Sequence, residues 1–397
     1  MIWKCWLIGL SLRPRLVPCL IGQLARNKTA DSRFESGKMR AAFTRHGNIV
    51  VDITTDLTPL SGEVLVKTLA CGICGSDLHA LRHGHEMVAS QKETGGPLVY
   101  DADRDLIMGH EFCAEIVELG QNVPDHLQIG DVVCSMPVLI RSDGTHLLGY
   151  SNEFPGGYAE KMLLSSRLLL PVTNGLSPQE AALTEPMAVG RHAVEKSGAT
   201  TDDVCLVIGC GPVGLAVIGA LKQKGLGPVI GADFSPRRRQ LAEQMGADEV
   251  VDPAVLSPYE SWRQTARSEG VGGDDSKIRV NDVTPKPGLI FECVGVPGVI
   301  DQIIHGAVKD TRIVVVGVCM EQDSFRPLTG IGKELNIQFV LGYTAKEFAD
   351  TLRAISEGEL AVEQLITGQV GLSEVGEAFN DLGDPEAHAK IIVEPWR

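Results

Sequence analysis

The strand-like run Val204-Cys205-Leu206-Val207-Ile208 passes straight into Gly209-Cys210-Gly211-Pro212-Val213-Gly214, and this junction constrains the fold more than any other feature. A bare GxGxxG carries little weight in a chain with 44 glycines. Here it follows an apolar strand and opens a helix, and an acid, Asp233, closes the next strand, Val229–Ala232. In that setting each position has a task. Gly209 makes the tight turn, Gly211 lets the backbone approach a pyrophosphate, and Gly214 allows the helix to pack closely on the strand. Pro212 and Val213 begin that helix, whose free amides and dipole suit phosphate. Asp233 can accept from a ribose 2′-hydroxyl and would repel a 2′-phosphate, which points to NAD rather than NADP. Arg237, Arg238 and Arg239 complicate that preference. One of them, with Arg238 the candidate, can lie along the adenosine ribose, and the others are solvated helix charges.

The rhythm around the junction is strand, helix, strand. Further strands are predicted at Leu289–Val294, Arg312–Val316 and Ile337–Leu341. Helices are predicted at Pro178–Lys196, at Pro212–Lys224 and from Ser235 to about Met245. Alternation of this kind builds βαβ units and a doubly wound parallel sheet. Ser257–Lys286, with Gly270, Gly272, Gly273 and Pro285, reads as a polar surface insertion. From Met39 to Pro171 the pattern is different. Short apolar runs such as Glu63–Lys67, Glu115–Glu118 and Asp131–Val133 are divided by Gly, Pro and Asp, a β-rich signal. The expected class is α/β, with a β-rich part and a doubly wound coenzyme part.

At 397 residues the chain has room for two or three cores. A net charge of −15 repels nucleic acid and anionic membranes, so any bound phosphate needs a local site. No run approaches the roughly 18 apolar residues of a membrane-spanning helix. The ten cysteines form no even framework, which suits a reducing, cytoplasmic compartment. Residues 1–38 stand apart. Through Ala30 they carry Lys4, Arg13, Arg15, Arg26 and Lys28 and no acid. A start upstream of the true Met39 is the preferred reading, with an organelle-targeting leader or a folded element as alternatives.

A second constellation is Cys71-Gly72-Ile73-Cys74-Gly75-Ser76-Asp77-Leu78-His79, then Gly109-His110-Glu111, then Glu185-Pro186. Alone, Cys71 and Cys74 form a CxxC open to redox or zinc readings. No second CxxC exists, so a four-cysteine zinc site is excluded, and the pair enters what reads as a polar turn rather than a helix. Cys71 reads as a packed thiol, His83 and His85 as loop histidines, and His192 as a structural helix residue.

These motifs in this order resemble the zinc-containing medium-chain alcohol and polyol dehydrogenases, sorbitol and threonine dehydrogenases among them. The likeness runs from Met39 to the C-terminus and continues in Gly156-Gly157-Tyr158-Ala159-Glu160 and Phe291-Glu292-Cys293-Val294-Gly295. It implies a GroES-like catalytic domain at 39–186 and 344–397, and a Rossmann domain at 187–343. It implies a catalytic zinc on Cys74, His110 and Glu185, with Glu111 a ligand in some relatives and an outer residue in others. Asp77 would orient a ligand imidazole, and Ser76 and His79 would carry the substrate proton away. The implied reaction is oxidation of a small alcohol or polyol with hydride transfer to NAD, in a homodimer or homotetramer. A zinc-free quinone or enoyl reductase of the same superfamily and a non-catalytic dinucleotide-binding protein are the rival readings. Two departures stand out. Cys134 lacks the companions of a structural zinc, so one zinc per subunit is expected. The stretch between Cys74 and His110 is long, so Arg82–Asp105 is expected to form an enlarged loop near the cleft.

Overall fold

The strands that follow the glycine-rich junction all enter one parallel sheet of six strands. Their spatial order is Glu249–Val251, Val229–Ala232, Val204–Ile208, Gly288–Glu292, Arg312–Val315 and Asn336–Phe339. This computed structural model describes residues 37–96, 100–268 and 288–397. Val204–Ile208 lies in the interior of the sheet, with Cys205 opposite both Val229 and Leu289. Every residue of Gly288–Glu292 is buried, as a strand covered on both faces requires. The chain leaves Val204–Ile208 first to one side and later to the other. Between that strand and Gly288–Glu292 lies the switch point at which doubly wound sheets bind nucleotides.

The β-rich region forms an antiparallel-dominated sheet in the order Ile366–Val370, Lys390–Val393, Glu63–Gly72, Glu111–Leu119, Val132–Ser135 and Leu169–Pro171. Lys161–Ser165 pairs with the other part of Glu63–Gly72. Two strands from the end of the chain therefore complete a sheet begun at its start. A separate hairpin pairs Lys38–Arg45 with Asn48–Thr55. Lys38 belongs to this hairpin rather than to the leader, and residues 1–36 lie outside the described residues. Among the described residues, no helix is long and apolar enough to cross a membrane.

Three local expectations need correcting. The predicted helix Pro178–Lys196 breaks at Leu183 into Pro178–Ala182 and Thr184–Ser197. The shorter piece is held by a capping box between Ser177 and Glu180, and the break places Glu185 in the first turn of the longer one. The expected surface insertion begins with a packed helix, Pro258–Ser268. Tyr259, Trp262 and Ala266 form its buried face, and the Trp262 indole N–H donates to the Val204 carbonyl at 2.9 Å. Their three- and four-residue spacing was the overlooked helical signal. Gly270, Gly272, Gly273 and Pro285 lie outside the described residues. The long stretch after Cys74 is not a loop at its start but a helix, Gly75–Thr94, kinked at His83. Much of the extra length extends that helix, whose residues from Leu78 to Glu93 contain no proline to stop it.

Candidate active site

Strand register gathers the second constellation at one end of the antiparallel sheet. Gly72 pairs with Glu111 on one side and with Ile392 on the other. Cys74, His110-Glu111 and Lys390 therefore meet although they are far apart in sequence. Cys74 caps the N-terminus of the Gly75–Thr94 helix, whose first turns carry Ser76, Asp77 and His79. The Cys74 Sγ, a His110 ring nitrogen and a Glu111 carboxylate oxygen lie within 4.8 Å of one another, and among the described residues no other such cluster occurs. Thiolate, imidazole and carboxylate at that spacing fit a zinc ion with bonds of about 2.0–2.3 Å.

Asp77 and Tyr158, behind the cluster, are fully buried. Asp77 accepts from the Cys74 amide at 3.0 Å and from the Tyr158 hydroxyl at 2.7 Å. Its Oδ1 lies 3.3 Å from the His110 Nδ1, which turns Nε2 toward the cluster. Burial opposes the charge on Asp77, but His110 and the donated hydrogen bonds hold its carboxyl below the usual carboxylate range. Burial likewise opposes a charged His110, yet Tyr150, Asp77 and Cys74 together push it well above the ordinary imidazole value. The Ser76 Oγ lies 3.5 Å from His110 Nε2 and accepts from the Tyr150 hydroxyl at 2.9 Å.

Glu111 is completely buried, and Lys390 Nζ donates to its two carboxylate oxygens at 2.7 and 2.8 Å. The third Lys390 donor goes to the Ile73 carbonyl at 3.1 Å, so the buried ammonium is fully satisfied. Gly72 makes this arrangement possible, because any Cβ there would collide with the Glu111 carboxylate. Glu185 lies outside the cluster of three, though within electrostatic reach of it. Burial raises its carboxyl to about 7; nearby His110 opposes the shift, Glu111 adds to it, and the Tyr343 hydroxyl donates to the carboxylate. His79 is half-buried, and its imidazole is lowered by burial and then by His83 and Arg82. Cys71 is packed against Gly109 and Gly157. Although Cys74 does cap a helix, contrary to the expected polar turn, Cys71 faces the interior of the sheet. His85 Nε2 stands 3.5 Å from Asp103, and His192 pairs with Glu347 at 2.9 Å.

At the parallel sheet, Gly209 has φ +90° and Gly214 sits against the Gly209 carbonyl, so a side chain at either position would meet backbone. Asp233 accepts from the Cys210 and Ser235 amides, both at 2.8 Å. These bonds fix its carboxylate beside the glycine turn and leave one lone pair on each oxygen. The three arginines separate clearly. Arg237 donates to the Glu386 carbonyl, and Arg239 binds the Asp233 and Phe234 carbonyls. Only Arg238 lies over Gly211, 4.0 Å from Asp233.

Sequence reasoning missed Lys390, Tyr150 and Tyr343. A lysine opening the apolar run Ile391-Ile392-Val393 was a faint clue to the first, and nothing local marked the other two.

Residues 60–174 match the alcohol dehydrogenase GroES-like domain, and residues 212–357 match the zinc-binding dehydrogenase family. The chain is 30% identical over 374 residues to (R,R)-butanediol dehydrogenase of Neisseria gonorrhoeae, covering 90% of this chain and 99% of that protein. It is 28% identical over 333 residues to bovine sorbitol dehydrogenase, covering 81% and 86%. Among solved structures, 2R,3R-butanediol dehydrogenase from Bacillus subtilis superposes with a TM-score of 0.72 at 28% identity, covering 90% of this chain and 99% of that one. A zinc-binding dehydrogenase from Sinorhizobium meliloti, bound to NADP, gives 0.73 at 25% identity, covering 91% and 100%. The chain belongs to the zinc-containing medium-chain alcohol and polyol dehydrogenases. It is an oxidoreductase acting on CH–OH groups, with a GroES-like region and a Rossmann-like region.

Proposed function

We propose that Cys74 and His110, with a carboxylate from Glu111 or Glu185, hold one zinc ion per subunit, and that NAD binds along Gly209, Gly211, Pro212, Val213, Gly214, Asp233 and Arg238. The cluster of Cys74, His110 and Glu111 carries this reading, with Asp77 behind the imidazole. When bound, zinc supplies Lewis acidity that makes the substrate hydroxyl easier to ionise. Ser76, beside that position, accepts the alcohol proton as it releases its own, which travels by way of the cofactor ribose to His79. A lowered imidazole keeps His79 neutral and ready to accept at neutral pH. NAD, when bound along that turn, would supply the hydride acceptor for the carbinol carbon. Asp233 supports NAD over NADP, since a carboxylate held beside the glycine turn would repel a 2′-phosphate.

The substrate class is a secondary alcohol or polyol, as the names of the relatives suggest. Residues 39–186 with 344–397 form the catalytic domain, and 187–343 the coenzyme domain. The working form is a homodimer or larger homo-oligomer. Supporting this, the edge strand Asn336–Phe339 and its surroundings expose Leu328, Ile331, Phe339 and Leu341, apolar residues that suit a second copy. A cytoplasmic setting suits a thiolate ligand, and the described cysteines are all unpaired. The test is a screen of primary, secondary and polyhydric alcohols with NAD and NADP, alongside metal analysis. One zinc per chain and NAD-linked oxidation of a secondary alcohol are expected. Turnover of alkenes or quinones by metal-free protein would overturn the reading.

A further inference from the structure

We propose that Tyr150 is a positioning residue for the proton-transfer step, fixing the Ser76 hydroxyl so that its own proton points away from Tyr150 and its free lone pair faces the substrate oxygen. This rests on the reading of Ser76 as the first proton acceptor.

The geometry is specific. The Tyr150 hydroxyl donates chiefly to Ser76 Oγ at 2.9 Å and, far more weakly, to Asp77 Oδ1 at 3.5 Å. Its ring lies 5.4 Å from the His110 ring, tilted by 34°, so the tyrosine spans the imidazole and the serine together. A serine hydroxyl has one proton to give and two lone pairs to receive. With one lone pair occupied by Tyr150, the other is left for the incoming alcohol proton, and the Ser76 proton is left to move onward. The proton count closes. The alcohol loses one proton, Ser76 gains one and releases one, and Tyr150 keeps its own. Burial favours the neutral phenol at Tyr150, so it donates without ionising. Without Tyr150 the hydroxyl of half-buried Ser76, in the first turn of its helix, is free to rotate among its staggered positions. Tyr158 is differently employed, since its hydroxyl reaches Asp77 and not Ser76.

The test uses the zinc-loaded enzyme and whichever alcohol of the screen is turned over fastest. Variants are Tyr150→Phe, Ser76→Ala and the double variant, read by kcat, KM, zinc content and the crystal structure of Tyr150→Phe. Loss of one hydrogen bond that matters in proton transfer is expected to lower kcat about tenfold, with KM and zinc content unchanged. Ser76 should then occupy more than one rotamer, and Tyr150→Phe should cost nothing further once Ser76 is alanine. Wild-type kcat in Tyr150→Phe, or losses that multiply in the double variant, would overturn the assignment. Full activity in Ser76→Ala would instead sink the relay reading on which it rests. Loss of zinc from Tyr150→Phe would show a merely structural role and overturn the proposal as well.

Discussion

The two sheets build their sites by opposite means. In the parallel sheet, the proposed cofactor turn is one continuous stretch, Val204 to Gly214, and the acid that faces it follows the adjacent strand. Backbone amides and the absence of side chains do most of the work. At the end of the antiparallel sheet, the working groups are side chains from widely separated segments, brought together by register. The first kind of site depends on local conformation and tolerates change elsewhere. The second depends on long-range pairing of buried charges, and each partner's removal leaves the other exposed to a low-dielectric interior.

If the two sites are independent, Cys74→Ala or His110→Ala should abolish zinc binding. Oxidation should fall at least about a thousandfold, the consequence of losing several kcal/mol of Lewis-acid stabilisation. NAD affinity, followed by fluorescence titration, should stay within about twofold. A parallel collapse of NAD binding would break the contrast. Next in size is Lys390→Met, which strands the buried Glu111 carboxylate. It should cost about 3–5 kcal/mol in denaturant unfolding, and Glu111→Gln in the same chain should recover most of it. No recovery would mean that Lys390 acts through packing alone.

His79→Gln sharpens the comparison by pH. Burial keeps the His79 imidazole below its ordinary 6.5, so the neutral acceptor form persists as pH falls to that value. The wild-type rate should hold through that range. The mutant should lose up to about a hundredfold at the low end and less as pH rises, because hydroxide then substitutes. Superimposable pH–rate profiles would remove His79 from the relay. The smallest effect is expected at the cofactor turn. Asp233→Gly should shift the NAD to NADP preference about tenfold toward NADP, with Arg238 free to meet the added phosphate. Unchanged steady-state ratios would argue against Asp233 as the ribose acceptor.

What was legible in the sequence follows the same division. The parallel strands, the glycine turn and Asp233 could be read because strand, turn and helix each leave a local pattern. Cys74, Ser76, Asp77 and His79 could be read because they stand within one six-residue motif that the family resemblance covers, although the helix that carries them was expected as a polar turn, and His110 because it sits in a second such motif. Lys390 and Tyr150 could not. Their roles depend on which strand lies beside Gly72 and which turn folds under His110, and neither is a property of neighbouring residues. Trp262 is a different case. Its helix had the right spacing, but the polar residues around it obscured the apolar stripe.

The Lys390–Glu111 pair has a consequence for how the chain is made. The two residues are 279 positions apart. At roughly 5–20 residues per second, a ribosome delivers Lys390 about 14–56 s after Glu111. Throughout that interval the carboxylate has no ammonium beside it, and the strand that carries the ammonium has no place in the sheet. The nascent chain can complete its glycine turn and much of its parallel sheet while the ligand end remains open. Closure of the geometry around Glu111 thus waits for Lys390, and a nascent chain stalled short of it keeps the proposed metal site unfinished.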